Sequence, residues 1–338
     1  MSPAAILPNV APPTASIVVP AYNAAATIAE TLRSLLVQTF ADFELIVVDD
    51  GSSDRTAEIV ESIDDPRLRL VRQANRGLAG AHNTGIAASR GEFVGFCDAD
   101  DLWMPEKLER HVDHLRRAPE VGISFAGSAM IDGEGRPLEV AQRPKLTGIT
   151  AADVFLRNPI GNGSAAVVRR VAFDAIAWRP PHESERDWWF DESFRQSDDI
   201  EGWLRFAVTT DWRIEGLPGL LTAYRIHTGA LSADIGRQFE TWVRMRDKIA
   251  ALAPDLVERH GAAATAYQLR YLARRAVSLH QGREAARLSR ASLLTSRVPL
   301  RREPVKTLVT ALAAEVLNLL GDSGGRLIEA RLRSAATH

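Results

Sequence analysis

The chain has 338 residues, of which 46% are hydrophobic and 25% charged, so it is long enough for two domains and too long for one small one. Its formal charge of −2 supplies no global field for nucleic acid, and no nucleic-acid partner is expected. A single cysteine, Cys97, excludes an intrachain disulfide and fits a reducing compartment, where it reads as a buried small hydrophobe. Residues 233–338 hold 18 Lys/Arg against 10 Asp/Glu, a net of +8, and residues 1–232 hold the remaining 23 against 33, a net of −10.

Residues 1–14 are rich in Pro and Ala and read as a disordered tail. They lack the basic segment and apolar run of a signal peptide, and no stretch approaches the ~18 uninterrupted apolar residues of a membrane span. The predicted location is cytoplasmic, with contact at the inner face of the membrane left open. Ser16–Pro20 reads as a short buried strand that stops at proline, followed by Ala21-Tyr22-Asn23 and a helix over 26–36. A second strand, Glu44–Val48, ends in Asp49-Asp50-Gly51-Ser52-Ser53-Asp54, where Ser53 or Asp54 suits a helix N-cap. Leu68–Val71 is a third strand, and a helix follows the small, polar stretch 75–83 as far as Ala88. Strands alternating with helices at this spacing predict a mostly parallel sheet.

The fourth strand carries the strongest signal. Phe93-Val94-Gly95-Phe96 runs straight into Cys97-Asp98-Ala99-Asp100-Asp101. A buried strand tolerates such acids where they leave the core at its carboxyl end, which is where open α/β sheets bind ligands. Carboxylates crowded there repel one another unless a cation neutralises them, and hard oxygen ligands suit Mg²⁺ or Mn²⁺, which commonly bridge to phosphates. Alone, the stretch is a weak signal and reads better as a solvated acidic turn and helix cap before the helical pattern 105–115. Further along, strands are predicted near 122–126 and 165–168, and the Pro-, His- and Trp-rich stretch 179–195 reads as a mobile loop over the site. Asp198-Asp199 precedes a helical stretch carrying Trp203 and Leu204, so the acids sit at a helix N-terminus, where negative charge is favourable.

Taken in order, Val-Val-Pro-Ala-Tyr-Asn at 18–23, Gln38-Thr39-Phe40, Val-Val-Asp-Asp-Gly-Ser-Ser-Asp at 47–54, Asn75-Arg76-Gly77, Asn83, Asp98-Ala99-Asp100-Asp101, the run from Asp198 to Arg205 and Tyr224-Arg225-Ile226-His227 resemble glycosyltransferase family 2. That family comprises inverting nucleotide-sugar transferases of GT-A fold. The resemblance covers about 16–232. It departs at His82, where the family often has arginine. It implies an α/β GT-A domain over 15–232, with a nucleotide-binding half over 15–115 and an acceptor half over 116–232, followed by a helical region over 233–338.

The resemblance also implies roles. Asp100 is the expected metal ligand, with Asp98 or His227 as further ligands and Mn²⁺ or Mg²⁺ as the cofactor. Pro20, Tyr22, Asn23, Asp50, Asn83 and Asp98 are the expected nucleotide contacts, Asp50 meeting the base ring. Gly163 and Arg225 would approach the donor sugar or its phosphates. Asp199 is the expected general base and Asp198 its neighbour. The donor would be a nucleoside-diphosphate sugar, with uridine favoured, and the acceptor a glycan, a lipid-linked glycan or a protein, in the synthesis of a surface glycan or polysaccharide. The alternative is a non-catalytic nucleotide-sugar-binding module of the same fold.

In the last region, Leu269, Leu272, Ala276 and Leu279 share a helical face, and Gly282 separates a following helix, 283–294. A final helix over 305–320 carries Val305, Leu308, Leu312, Val316 and Leu319 on one stripe, preceded by Arg297, Arg301, Arg302 and Lys306. Its charges cluster at one end. The favoured expectation is therefore that the stripe packs on the catalytic domain or on a second subunit, with a peripheral membrane contact as the alternative.

Overall fold

The computed structural model describes residues 11–226 and 234–335, with side chains in the final helix described as far as Gly321. The chain divides into two units, Met1–Ile149 with Pro159–His227, and Thr150–Asn158 with Thr228–His338. The segment Thr150–Asn158, expected in the acceptor half, therefore groups with the C-terminal helices.

The first unit opens with β1 (Ala15–Ala21), α1 (Ile28–Leu36), β2 (Phe43–Asp49), α2 (Thr56–Glu61), β3 (Leu68–Arg72), α3 (Gly77–Ala88) and β4 (Phe93–Phe96). These strands lie in the order β3-β2-β1-β4, all parallel. Every residue of β1 and β2 is buried, as in a parallel sheet covered on both faces. Glu44 is tolerated inside β2 because its Oε1 accepts hydrogen bonds from Ser16 Oγ (2.8 Å) and from the Arg90 N–H (2.7 Å). The first helix buries Ile28, Thr31, Leu32 and Leu35, the i, i+3, i+4, i+7 pattern of one apolar face. The third helix approaches β1 so closely at Gly85 that a Cβ there would lie 2.2 Å from Val18 Cγ1.

The sheet continues through β5 (Leu102–Trp103), α4 (Lys107–Arg117), β6 (Val121–Ile131), β7 (Pro137–Gln142), β8 (Ala166–Arg169), α6 (Arg170–Asp174), α7 (Asp198–Thr209) and β9 (Arg213–Arg225), while α5 (Ala151–Arg157) belongs to the second unit. Beyond β4 the order is β8-β6-β9-β5, with β7 paired to β6. Here β8 is antiparallel to both β4 and β6, and β9 is parallel to β6. The mostly parallel sheet of the sequence reading thus describes the nucleotide-binding half, and the second half is mixed. The long β9 escapes a sequence reading because Gly216, Pro218 and Gly219 interrupt it. They coincide with shifts in its register against β6 around Gly127, and Gly219 takes φ +110°, which only glycine adopts at little cost.

The second unit adds α8 (Ile235–Leu252), α9 (Pro254–Ser278), α10 (Gly282–Thr295), α11 (Val298–Arg302) and α12 (Pro304–Ala335), the last broken at Gly321 by φ 67°. Leu269, Leu272 and Ala276 of α9 meet Ala285 and Leu288 of α10 and Ala314 of α12 in one core, with Leu279 at its margin. The stripe on α12 lies outside the core of this unit: among the described residues Val305, Leu308, Leu312, Val316 and Leu319 are all exposed. Thr307, Thr310, Ala314 and Leu317 make the inward face instead.

Substituting Gly85→Ala forces a methyl group onto Val18 in a packed interface. A loss of about 1–3 kcal/mol is expected, read as a lower melting temperature, because α3 must lift from β1.

Candidate active site

The carboxyl end of β4 delivers three acids to one place. Ligand oxygens of Asp98, Asp100 and Asp101 lie within 4.8 Å of one another. Asp101 is sealed inside: its Oδ2 accepts from Ser164 Oγ (2.5 Å) and its Oδ1 from the Arg225 N–H (2.8 Å). Asp98 is only partly covered, its N–H donates to Ser164 Oγ (2.8 Å), and a Cβ on Gly163 would lie 3.8 Å from its Oδ1. Burial and the neighbouring Asp100 push the Asp98 carboxyl up to about 6, and burial with Asp98 and Asp100 pushes Asp101 well above the usual range. A set of oxygens that resists ionisation in this way is stabilised by a cation, so the donor set fits a hard divalent ion. Asp98 and Asp100 would be its ligands, with Asp101 holding the loop beneath them. His227 lies outside the described residues.

Across from these acids stands the start of α7. Ser197 takes φ 56° just before it, a left-handed backbone uncommon for a side-chain-bearing residue, which turns the chain into the helix. Burial and the adjoining Asp198 push the Asp199 carboxyl up to about 7, with a smaller upward push from Asp98 and opposing pulls from the Ile200 N–H and His82. Asp198 is buried, with Oδ2 3.3 Å from His82 Nδ1. Burial disfavours charge on His82, but Asp198, Asp98 and Asp199 outweigh it and hold the ring above its ordinary value. His82 Nε2 and Asp198 Oδ1 are buried without a hydrogen-bond partner among the described residues.

Aromatic packing sets this spacing. The Phe190 ring lies 5.7 Å from Phe96, 5.5 Å from Phe173 and 5.6 Å from Trp203, with the His82 ring 5.1 Å away. Phe96 is two residues before Asp98 and Trp203 one helical turn after Asp199, so the cluster fixes the two acid groups relative to each other.

On the nucleotide side, Tyr22 stands 56% exposed at the end of β1, beside the buried Pro20. Asn23 takes φ 50°, and its Oδ1 accepts from the Ser53 N–H (2.8 Å) while its own N–H donates to Ser52 Oγ (3.0 Å). These bonds latch the first strand–helix loop to the second. The Asp50 carboxylate caps α3: Oδ1 accepts from the Arg76 N–H (2.8 Å) and Gln73 Nε2 (2.6 Å), and Oδ2 from the Gly77 N–H (2.8 Å). Three of its roughly four acceptor positions are thereby filled.

Two of the expected contacts are engaged with the protein itself. Asn83 Nδ2 donates to the Phe190 carbonyl (2.8 Å) and Glu192 Oε1 (3.0 Å), and Oδ1 accepts from the N–H groups of Trp189 and Phe190 (both 2.9 Å). These four bonds saturate its amide. Arg225 is buried at the end of β9, not in a loop. Its guanidinium donates to the carbonyls of Asp100 (2.7 Å), Asp132 (3.3 Å) and Gly133 (3.2 Å) and to Glu30 (2.7 Å). It is a strut behind the acids.

The stretch 179–195, predicted mobile, is densely anchored. Besides Asn83, Arg76 pairs with Glu183 and Glu192, and Arg205 Nη2 donates to the Trp189 carbonyl (2.5 Å). The Arg186 guanidinium bonds Glu192 (2.9 Å) and the Gly80 carbonyl (2.9 Å). Sequence reasoning also missed Ser164, which joins Asp98 to Asp101, and Lys107, fully buried with Nζ on the Ala165 carbonyl (2.9 Å) and pushed down to about 7 by burial. Nothing local to either residue signals these partners, which come from distant segments.

A family model described as glycosyl transferase family 2 matches residues 16–177. The chain is 43% identical over 101 residues to the UDP-Glc:alpha-D-GlcNAc-diphosphoundecaprenol beta-1,3-glucosyltransferase WfgD of Escherichia coli, covering 30% of this chain and 40% of that protein. Among solved structures it is similar to Staphylococcus aureus TarS 1-349 in complex with UDP-GlcNAc (19% identity, TM-score 0.58, 91% of each chain). It is also similar to the mannosyltransferase PcManGT of Pyrobaculum calidifontis in complex with GDP-Man and Mn²⁺ (22% identity, TM-score 0.56, 91% of this chain and 87% of that one). The chain spans between 29% and 42% of the length of the first four curated relatives it matches. The mixed sheet, its flanking helices and these neighbours are those of a GT-A fold. Residues 16–177 thus form a domain of the glycosyl transferase family 2 type.

Proposed function

We propose that this chain is an inverting glycosyltransferase that moves a sugar from a nucleoside-diphosphate sugar to an acceptor hydroxyl. The observation that carries this reading is Asp199: a carboxyl at a helix N-terminus, pushed up to about 7 and electrostatically in touch with Asp98. A base poised near neutrality suits the removal of a hydroxyl proton during attack. The acceptor oxygen bonds to the anomeric carbon, its proton passes to Asp199, and the bond from that carbon to the diphosphate breaks. The nucleoside diphosphate leaves with the electron pair, and a single in-line displacement inverts the centre.

Asp98 and Asp100 would hold Mn²⁺ or Mg²⁺, which neutralises charge developing on the departing diphosphate. The Mn²⁺ named with the archaeal mannosyltransferase supports this assignment. The exposed Tyr22 ring, with Pro20 beside it, offers the nucleobase an apolar face. Asp50 orients the 73–77 backbone toward the base and retains one acceptor position for it. Gly163 lets the backbone come close to the donor sugar beside Asp98. A UDP-sugar is favoured, since UDP-sugars are named with WfgD and TarS, and the undecaprenol-linked acceptor in the first name supports a lipid-linked glycan as the acceptor class.

Incubation with a panel of UDP-sugars, Mn²⁺ and a lipid-linked glycan should release UDP and extend the acceptor. Excess chelator should abolish transfer, and Asp100→Asn should lower it about 10²–10³-fold, the scale for losing an electrostatic stabiliser. Full transfer in chelator overturns the metal assignment.

Asp199→Asn should lower turnover by about 10²–10⁴-fold. Calorimetric affinity for UDP should stay unchanged, because the base acts on the acceptor. An active Asp199→Asn alongside an inactive Asp198→Asn would move the base to Asp198.

The reaction should also titrate. Asp199 accepts a proton only when ionised, so the rate should climb about tenfold per pH unit on the acid side and level off above the pKa of Asp199, which a cation on Asp98 and Asp100 would bring below about 7. In Asp199→Asn the residual rate should lose that limb.

A further inference from the structure

The final helix has a covered face and, among the described residues, an exposed apolar one. Between Pro304 and Gly321, Thr307, Thr310, Ala314 and Leu317 are buried. Thr307 Oγ1 accepts from Arg270 Nη1 on α9 (2.8 Å), and Glu315 pairs with Arg290 on α10. The other face carries Val305, Leu308, Val309, Leu312, Val316, Leu319 and Leu320, every one exposed, with Leu312 at 67% and Leu319 at 83%. At 100° per residue they fill an arc of about 120° with nothing but aliphatic side chains. At the N-terminal end of this arc stand Arg297, Arg301 and Arg302, all exposed. The nearest acid, Glu303, is turned away into ion pairs with Arg157 and Arg270.

We propose that this face docks on the surface of an anionic lipid bilayer, the aliphatic arc entering the acyl boundary and the arginines meeting the headgroups. Charge selects this occupant over a second copy of the chain. Residues 233–338 carry a net of +8, which two copies brought face to face would set against itself and which anionic lipid neutralises. Composition points the same way, because protein interfaces favour Tyr, Trp, Phe, Met and Arg at their centres, and this arc has only Leu and Val. The mean hydropathy of 1.3 over Pro304–Gly321 would suit a membrane span, but a spanning helix must meet lipid all round, and this one is packed on α9 and α10 along its other side. It therefore lies in the plane of the interface.

The full chain should float with vesicles of equal parts phosphatidylglycerol and phosphatidylcholine at low salt. It should float far less at high salt or with phosphatidylcholine alone. Leu308→Glu with Leu312→Glu should abolish flotation. Arg301→Ala with Arg302→Ala should weaken it by about fivefold for each charge removed. All four positions are exposed, so melting temperature and UDP affinity should not change in either variant. Absence of flotation with the anionic vesicles overturns the proposal, as does flotation that neither variant alters. A dimer in light scattering that the leucine variant converts to a monomer, without flotation in the parent chain, assigns the face to a second copy.

Discussion

Repulsion among crowded carboxylates is the constraint around which the catalytic unit is arranged. Asp98, Asp100 and Asp101 leave β4 together, and Asp198 and Asp199 face them closely enough that Asp98 is raised by Asp198, and Asp199 by Asp98. Left to themselves these groups would separate. They are held by the rings behind them, where Phe96, Phe173, Phe190 and Trp203 contact one another pairwise, each pair worth about 0.5–1.5 kcal/mol beyond its buried area. The crowding shows as the upward push on Asp98 and Asp199, and a cation held by Asp98 and Asp100 would relieve it. The same crowding gives the acids their chemistry.

The surrounding polar groups mostly serve backbone instead of ligand. Asp50 caps α3, Asn83 ties down 189–192, and Arg225 gathers the carbonyls of Asp100, Asp132 and Gly133. Each of these joins segments far apart in the chain at a loop that has no ladder of its own. A buried loop must satisfy its N–H and C=O groups somewhere, and here side chains of opposite hydrogen-bonding sense meet that demand. Rigid placement of the acids follows from this without secondary structure running through them.

What the sequence made legible was whatever is local. The apolar runs of β1, β2 and β4 end abruptly in polar residues, so both the strands and the acids at their ends could be placed. The helical face of α9 was legible for the same reason. Hydrogen-bonding direction was not: an asparagine amide or a guanidinium has the same letter whether it meets a ligand or a carbonyl, so the internal partners of Asn83 and Arg225 could not be foreseen. Nor was β9, whose glycines and proline mark a bulge inside a strand and read like a loop. On α12 the periodicity was clear but its sense was not, because small residues on one face pack as well as large ones on the other.

Cys97 illustrates a practical side of the same core. Its thiol is fully buried, and burial together with Asp101 and Asp98 raises its pKa well above the ordinary value. Alkylating reagents attack the exposed thiolate, so the native sulfur is silent toward them. With no other cysteine in the sequence, the wild-type chain already serves as a blank background for thiol labelling. A cysteine introduced on the surface would take a fluorophore or spin label alone, with the native core left untouched.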